Sequence, residues 1–498
     1  MILSQFIFVP LFAAFLIALV ARKRENIATA IALIATGWIF IFSLIAFFKL
    51  PAEAGMIMKT TSGWKIPFTI ALVLDHLSAF MLIVINLVAF FSAFYAIQYI
   101  KHFTGKWNFF ALFMLMLAGM NGVALTGDFF NLYVFMEISL ISAYALVAFG
   151  TESEELEASF KYATMGAITS TMILFGIGIL YSFTSTLNMA QVGQTIQANP
   201  SNKLLFLVYG LFIAGFGLKT ALVPFHAWLP DAHPSAPAPI SAMLSGVLIK
   251  TLGVYALIRI FFNIFGAPPV VLTILLLLAT LSIVIGGFLS LVQWDFKRLL
   301  GFSSISQIGY VILGFALGTK LGILGGVLHL LYHSIFKSLL FLDSGAVEYA
   351  TGERDIRKLG GLAKKMPVTS FTNMIGTLSI AGIPPFNGFF SKLIIIIACF
   401  AAGHFVIGFI AALASIVTLA YFLKVQKHAF YGESKLKNNF EKVPFTLKTS
   451  MIILAVLCLV SSLLLIPSVR QTTVQPIVDA VWNATQYIDK IVPFLGSV

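Results

Sequence analysis

Charge is scarce in this sequence. Only 10% of its 498 residues are Asp, Glu, Lys or Arg, while 59% are hydrophobic. A soluble domain cannot cover that much apolar surface with so few polar groups, so the composition excludes one. Cysteine is nearly absent. Cys399 and Cys458 both fall in apolar runs, which excludes a disulfide framework, a haem-attachment pattern or a cluster of thiolate ligands and leaves two small buried hydrophobes. A glycine-rich phosphate loop is also missing. No cofactor and no metal are therefore expected on this chain. Nor do the apolar runs alternate as the strands of a membrane barrel would.

What the chain has instead is a series of membrane-length apolar runs, each of ~20 residues a candidate spanning helix. The sequence predicts an all-α integral membrane protein with 14 spans, at about 3–21, 28–48, 70–97, 108–126, 129–150, 159–183, 204–225, 237–264, 269–292, 300–319, 322–347, 369–390, 391–430 and 449–467. Ile2 to Val20 has no charged n-region and no A-x-A-like cleavage site, so it reads as a first span and not as a removable signal. No connection is long enough for a soluble domain. The formal charge of +12 follows topology and does not point to nucleic acid. Connections after odd-numbered spans hold 18 Lys and Arg, against 7 after even spans and in the C-terminal tail. Cytoplasmic loops collect Lys and Arg, so both termini are expected on the outer side of the cell membrane.

The sequence also repeats weakly. Val223-Pro224-Phe225-His226-Ala227-Trp228 in span 7 resembles Pro384-Pro385-Phe386-Asn387-Gly388-Phe389 in span 12, and each has a lysine nearby, Lys219 and Lys392. Proline removes a backbone donor and clashes with the preceding turn, so both helices should break. Broken helices at matching places in two halves point to a transport site. The expected organisation is three N-terminal helices (1–107), a five-helix unit (108–264), a second five-helix unit (265–430), and a loop with a last helix (431–498). An odd number of spans per unit makes the second unit inverted relative to the first.

Within these runs, the few charged residues stand out. An ammonium at bilayer depth is costly, and such groups usually face a partner, water or a transport path. Glu137 near the start of span 5 is the expected gate for Lys219, since a carboxylate within ~4–6 Å holds a lysine charged until it moves away. Gly215-Phe216-Gly217-Leu218 offers a slim helix surface for that approach. Lys250, in the middle of span 8, is too deep to snorkel. It is read as a connecting base, with a hydrogen-bonded structural lysine as the alternative. His329, His333 and Lys337 recur at i, i+4, i+8 and form one polar stripe suited to proton relay. Zinc is a rival for the two histidines, but no H-E-x-x-H pattern and no third ligand accompany them. Lys392 is the expected terminal group. Asp75, Asp128, Asp231, Asp295 and Asp343 lie nearer span ends and read mostly as caps or anchors, with Asp231 and His233 candidates for an access vestibule. His76, His102, His404 and His428 read as interfacial.

These motifs together resemble the antiporter-like subunits of the respiratory complex I superfamily, which includes the Mrp cation/proton antiporter and the membrane-bound hydrogenases. The resemblance covers about residues 70–430. It rests on Glu137 within Asp128-Phe129-Phe130-Asn131-Leu132-Tyr133-Val134-Phe135-Met136-Glu137, Lys219 before Pro224-Phe225-His226-Ala227-Trp228-Leu229-Pro230-Asp231-Ala232-His233, the His329/His333/Lys337 stripe, and Gly382-Ile383-Pro384-Pro385 with Lys392. It implies 14 helices, two inverted five-helix units each with a broken helix, and a central Lys/His/Glu axis that carries protons. The stretch from Pro234 to Gly246, and Phe160-Lys161-Tyr162-Ala163, look more like the redox-coupled members than the D-type Mrp antiporter subunits. The long C-terminal lateral helix of the largest complex I member has no counterpart here, which points to the middle-sized subunits.

The expected function is therefore proton translocation by one subunit of a multisubunit redox-driven complex, with redox catalysis on other subunits. The expected partners are other membrane subunits, including further antiporter-like ones, together with the lipid bilayer and H⁺, with Na⁺ left open as a further cargo. No nucleic acid is expected. The alternative is a D-type Na⁺/H⁺ antiporter subunit of an Mrp-type complex. A small-solute transporter or a scaffold fits less well, because neither gives a line of buried Lys and His a role.

Overall fold

A computed structural model describes residues 2–22, 24–61, 64, 66, 69–434 and 440–491, so Lys23, Lys65, Lys435 and Lys437 of the loop tally lie outside the described residues. Among the described residues, eleven helices are long and apolar enough to cross a membrane: Glu25–Ala52, His76–His102, Lys106–Leu125, Phe129–Gly150, Ser153–Thr184, Ala238–Ile264, Pro269–Val292, Phe296–Ala316, Lys320–Thr351, Phe405–Phe430 and Phe445–Leu465. Gln5–Val20, Leu204–Lys219 and Asn387–Ala401 are shorter apolar helices that complete the series of fourteen spans. The chain is an all-α multi-pass membrane protein. Among the described residues the one sheet is an antiparallel hairpin, Met56–Thr60 with Ala71–Asp75, between spans 2 and 3.

A helix of 15 or 16 residues covers only ~24 Å, less than the ~30 Å hydrocarbon core. Two of the short helices are accordingly halves of broken spans. Span 7 runs as Leu204–Lys219, breaks, and resumes as Leu229–Ser235. Span 12 runs as Pro367–Ala381, breaks, and resumes as Asn387–Ala401. Proline sits in both interruptions, at Pro224 and at Pro384 and Pro385, and the freed carbonyls find other donors. Trp228 Nε1 donates to the Leu218 carbonyl at 3.0 Å, and Gly382, in the left-handed conformation at φ +82°, caps the first half of span 12 through its N–H to Leu378. The second break corrects the sequence boundaries. Residues 391–401 belong to span 12, and span 13 begins at Phe405 after a turn of only three residues, Ala402 to His404. That turn has too little polar sequence to interrupt the apolar run.

The two halves correspond element by element. Ser153–Thr184 and Lys320–Thr351 are both 32-residue helices, starting 167 residues apart. Asp128 and Asp295, also 167 apart, each cap the preceding helix of their unit by accepting from a backbone N–H. Each also forms an isolated antiparallel bridge, to Asn188 and to Asp355, which are again 167 apart. Five spans per unit reverse the chain direction, so corresponding ends lie on opposite faces of the bundle.

Spans 8, 10 and 11 form the centre. Every residue of Ala238–Ile264 is buried, and span 8 is π-helical over Leu244–Leu248, Lys250–Tyr255 and Arg259–Ile264. The outer spans turn large apolar side chains outward, among them Phe160, Phe175, Phe288 and Phe409, as a lipid-facing surface requires.

Candidate functional site

Glu137 on span 5, Ser170 on span 6 and Lys219 at the end of the first half of span 7 meet at one place. Gly215 sets the approach: a Cβ there would lie 2.7 Å from Ile173 Cγ1, so only glycine lets span 7 pack this closely on span 6. That packing delivers Ser170 to Lys219. Lys219 Nζ donates to Ser170 Oγ at 3.3 Å, and the Ser170 hydroxyl donates to Glu137 Oε1. The expected pair is thus linked through a serine hydroxyl. Lys219 is only 4% exposed, whereas Glu137 is half-buried. The carboxylate therefore stands at the edge of the bundle and the ammonium inside it.

Lys250 lies in the π-helical stretch of span 8. Its Nζ reaches back along its own helix to the carbonyls of Ser245 (2.6 Å) and Gly246 (2.7 Å). A π turn is wider than an α turn and is frequent at functional sites; here it leaves carbonyls that solvate a cation at full burial. Beside it, Ser245 Oγ and Ser304 Oγ are 2.7 Å apart, joining span 8 to span 10.

The stripe on span 11 forms as its spacing predicts. The rings of His329 and His333 are nearly parallel with centroids 6.2 Å apart. Lys337 donates to Ser303 Oγ on span 10, and His329 Nδ1 is 2.9 Å from Ser391 Oγ on the second half of span 12. Lys250, Lys337 and Lys392 all lie within electrostatic reach of His333. Nε2 of His329 and both ring nitrogens of His333 are buried with no protein hydrogen-bond partner among the described residues. Buried polar nitrogens normally have a partner, and ordered water suits a polar interior of this kind.

Lys392 closes the series at the second break. Its Nζ donates to the Ile380 carbonyl at 2.8 Å and stands 4.8 Å from the centre of the Tyr310 ring. A cation at the C-terminal end of a half-helix meets the negative end of its dipole. Lys219 ends its own half-helix in the same relation.

Other expectations change. His233 is fully buried with both nitrogens unpartnered among the described residues and lies within electrostatic reach of Lys250 and Lys337, so it belongs to the interior. Asp231 stays at the surface, paired with Lys161 (3.2 Å) and Arg298 (3.3 Å) beside a cavity of about 310 Å³. Asp128 and Asp295 are helix caps as expected. Asp343 is neither cap nor anchor: it is fully buried within span 11 and accepts from Thr372 at 2.7 Å. Asp75 is both cap and ion-pair partner, bound to Arg259. Lys297, a loop cation by sequence, is buried and paired with Glu348 at 2.6 Å. The structure adds Arg259, Ser170, Ser303 and Ser391, which the sequence reading does not single out. Arg259 carries a signal, a lone charge inside Leu257-Ile258-Arg259-Ile260-Phe261, but serine is too common in membrane helices to mark itself.

The fold and the buried line of bases define an antiporter-like membrane subunit. The family model described as "NADH:quinone oxidoreductase/Mrp antiporter, TM" matches residues 126–418, and the "NADH-Ubiquinone oxidoreductase (complex I), chain 5 N-terminus" model matches residues 61–110. The chain belongs to this NADH:quinone oxidoreductase/Mrp antiporter family. It is 34% identical to the D-type subunit of a Na⁺/H⁺ antiporter of Alkalihalophilus pseudofirmus, over 88% of this chain and 89% of that one. It is 35% identical to the N-type subunit of an NADH-quinone oxidoreductase of Desulforudis audaxviator, over 85% of each. Among solved structures it superimposes with a TM-score of 0.90, at 31% identity and over 98% of its length and 99% of the other's, on a chain of the membrane-bound sulfane sulfur reductase, an archaeal respiratory membrane complex.

Proposed function

We propose that this chain moves protons as one subunit of a redox-driven membrane complex, with electron transfer on its partner subunits. The observation that carries the reading is the buried series itself. It starts from Glu137, Ser170 and Lys219, passes Lys250 and the Lys337, His333 and His329 stripe, and ends at Lys392. In this reading Glu137 gates Lys219, Lys250 connects the two units, the stripe relays, and Lys392 is the terminal acceptor and donor. Each group is a base that can hold a proton; hydroxyls and other titratable groups beside them can relay it, and the carbonyls at Lys250 and Lys392 hold the ammonium in place. The unit boundaries near residues 108, 265 and 430, and an outer position for both termini, complete the proposal.

The Mrp reading is supported equally well: the same series would serve a Na⁺/H⁺ antiporter, and the 34% identity to the D-type antiporter chain stands beside the 35% identity to the N-type oxidoreductase chain. Membrane vesicles carrying the assembled complex separate the two. Acidification started by a respiratory substrate supports the redox reading, and acidification or alkalinisation started by a Na⁺ pulse supports the antiporter reading. Co-purified subunits then identify the complex. Assembled Lys219→Ala and Glu137→Ala variants that move protons like the wild type would remove the basis of both.

A further inference from the structure

Among the described residues, two buried acids lie outside the series above, Asp75 and Asp343. Asp343 sits in span 11 on a different face from Lys337, fully buried, with Thr372 Oγ1 donating to Oδ1 at 2.7 Å and Asn373 Nδ2 lying 3.5 Å from Oδ2. It differs from Asp75, whose two oxygens are both held by the Arg259 guanidinium. Both partners of Asp343 are neutral, so this carboxyl can gain or lose a proton without breaking an ion pair. The titratable groups facing it from neighbouring elements are Tyr95 on span 3 and Cys458 on span 14. An ionisable residue within the membrane is a functional candidate by default, because its burial is costly without a role.

Its partners continue in both directions. Toward the end of the bundle that carries the loops after odd spans, the Thr372 hydroxyl has the Thr369 carbonyl at 3.2 Å as an alternative acceptor, and Thr369 lines a cavity of about 140 Å³ with Lys365, Glu441, Lys442 and Lys448. Toward the interior, Gln426 Nε2 donates to Asn373 Oδ1 (2.8 Å) and to Thr377 Oγ1 (3.1 Å), and Gln426 Oε1 is buried without a protein partner among the described residues. One helical turn beyond Thr377 is Ile380, whose carbonyl holds Lys392. Asn373, Thr377 and Ile380 share one face of the half-helix by their spacing.

We infer that Asp343 is a proton-holding carboxyl on a second branch, which supplies Lys392 from the odd-loop face at one step of the same transport cycle, so that turnover needs both this branch and the histidine stripe. The branch takes a proton at Asp343 from the Thr369 cavity and hands it toward Lys392 along the polar face of the first half of span 12. The step balances: one O–H bond forms at the Asp343 carboxylate as a proton arrives from the cavity side, and one O–H bond breaks as a proton is given up toward Lys392, with no net change in the carboxyl. This inference rests on the proton-moving reading above.

The test uses vesicles with the assembled complex, a ΔpH-sensitive dye, and a respiratory substrate or a Na⁺ pulse as trigger. Asp343→Asn keeps the size and the acceptor for Thr372 but cannot exchange a proton. It should assemble at wild-type level and slow proton movement on the order of a hundredfold, the scale of one lost acid–base group, while Asp343→Glu recovers most of the rate. Gln426→Leu, which cuts the branch without touching the carboxyl, should slow it too. Wild-type rates in assembled Asp343→Asn overturn the branch, and so does an equal loss in Asp343→Glu with Gln426→Leu unaffected, which marks a structural acid. If Asp343→Asn does not assemble, Gln426→Leu decides. Lys219→Ala in parallel separates the claims: normal transport there removes the parent reading, whereas loss there with normal Asp343→Asn removes the branch alone.

Discussion

Asp75 and Arg259, 184 positions apart, lock three parts of the molecule with a two-pronged ion pair. Arg259 Nη1 and Nη2 lie 2.7 Å from Asp75 Oδ2 and Oδ1 respectively. Asp75 ends the hairpin and caps span 3, and Arg259 belongs to span 8. The guanidinium also stands 4.8 Å from the centre of the Tyr487 ring, on the helix Ala484–Ile491. Arg259→Ala would leave a carboxylate buried without its cation, which costs roughly 3–5 kcal/mol. Arg259→Lys would keep the charge but lose the fork and should fall between. Melting of the detergent-solubilised complex measures this, and a wild-type melting temperature for Arg259→Ala would show that the pair is not holding these elements together.

Ser170 is placed to control how strongly Glu137 acts on Lys219. Removing its hydroxyl leaves Lys219 Nζ without that acceptor and Glu137 without that donor. One hydrogen bond to a charged group is worth about 1.5–3 kcal/mol. Ser170→Ala should therefore slow proton movement by at least about tenfold while the complex assembles normally. Ser170→Thr, which restores a hydroxyl, should recover most of the rate. Equal rates in all three proteins would mean that Glu137 and Lys219 communicate without the serine.

The site residues are legible because a charge in an apolar run is conspicuous, and Lys219, Lys250, Lys337 and Lys392 all prove buried. The i, i+4, i+8 spacing yields the stacked histidines for the same reason that any helical stripe is legible. What joins them is not. Ser170, Ser303 and Ser391 come from other spans, and the close packing that brings Ser170 in depends on Gly215, whose contact lies on a separate helix and leaves no local pattern. The expectation for Asp343 fails because distance from a predicted span end says little about depth: span 11 extends to Thr351. The break in span 12 is legible from its prolines, but the three-residue turn after it is too short to separate two apolar helices.

Gly388 controls the second break. A Cβ at this position would fall 1.8 Å from the Ser379 carbonyl oxygen, so the two half-helices touch through bare backbone. Gly388→Ala must push them apart, and overpacking of this kind costs typically about 1–3 kcal/mol. The displaced half carries both Lys392 and Ser391, the partners of Ile380 and His329. The expected result is a lower melting temperature together with slower proton movement. Loss of transport at an unchanged melting temperature would place the effect in the contacts of Lys392 and Ser391 and not in the packing of the two halves, and normal transport with a normal melting temperature would show that the break tolerates the added methyl.

Lys250 separates a relay from a set of independent structural lysines. Its ammonium is held only by carbonyls of its own helix among the described residues, so replacing it breaks no contact between spans. Lys250→Met keeps an unbranched side chain of similar length in a fully buried position and removes the titrating group. If Lys250 connects the Lys219 unit to the stripe, this variant should assemble and melt like the wild type yet move protons at a rate lower on the order of a hundredfold. Lys250→Arg, which stays protonated, should fail in the same way despite keeping the charge. Normal transport by either variant would mean that protons cross from one unit to the other by a route that avoids the centre of span 8.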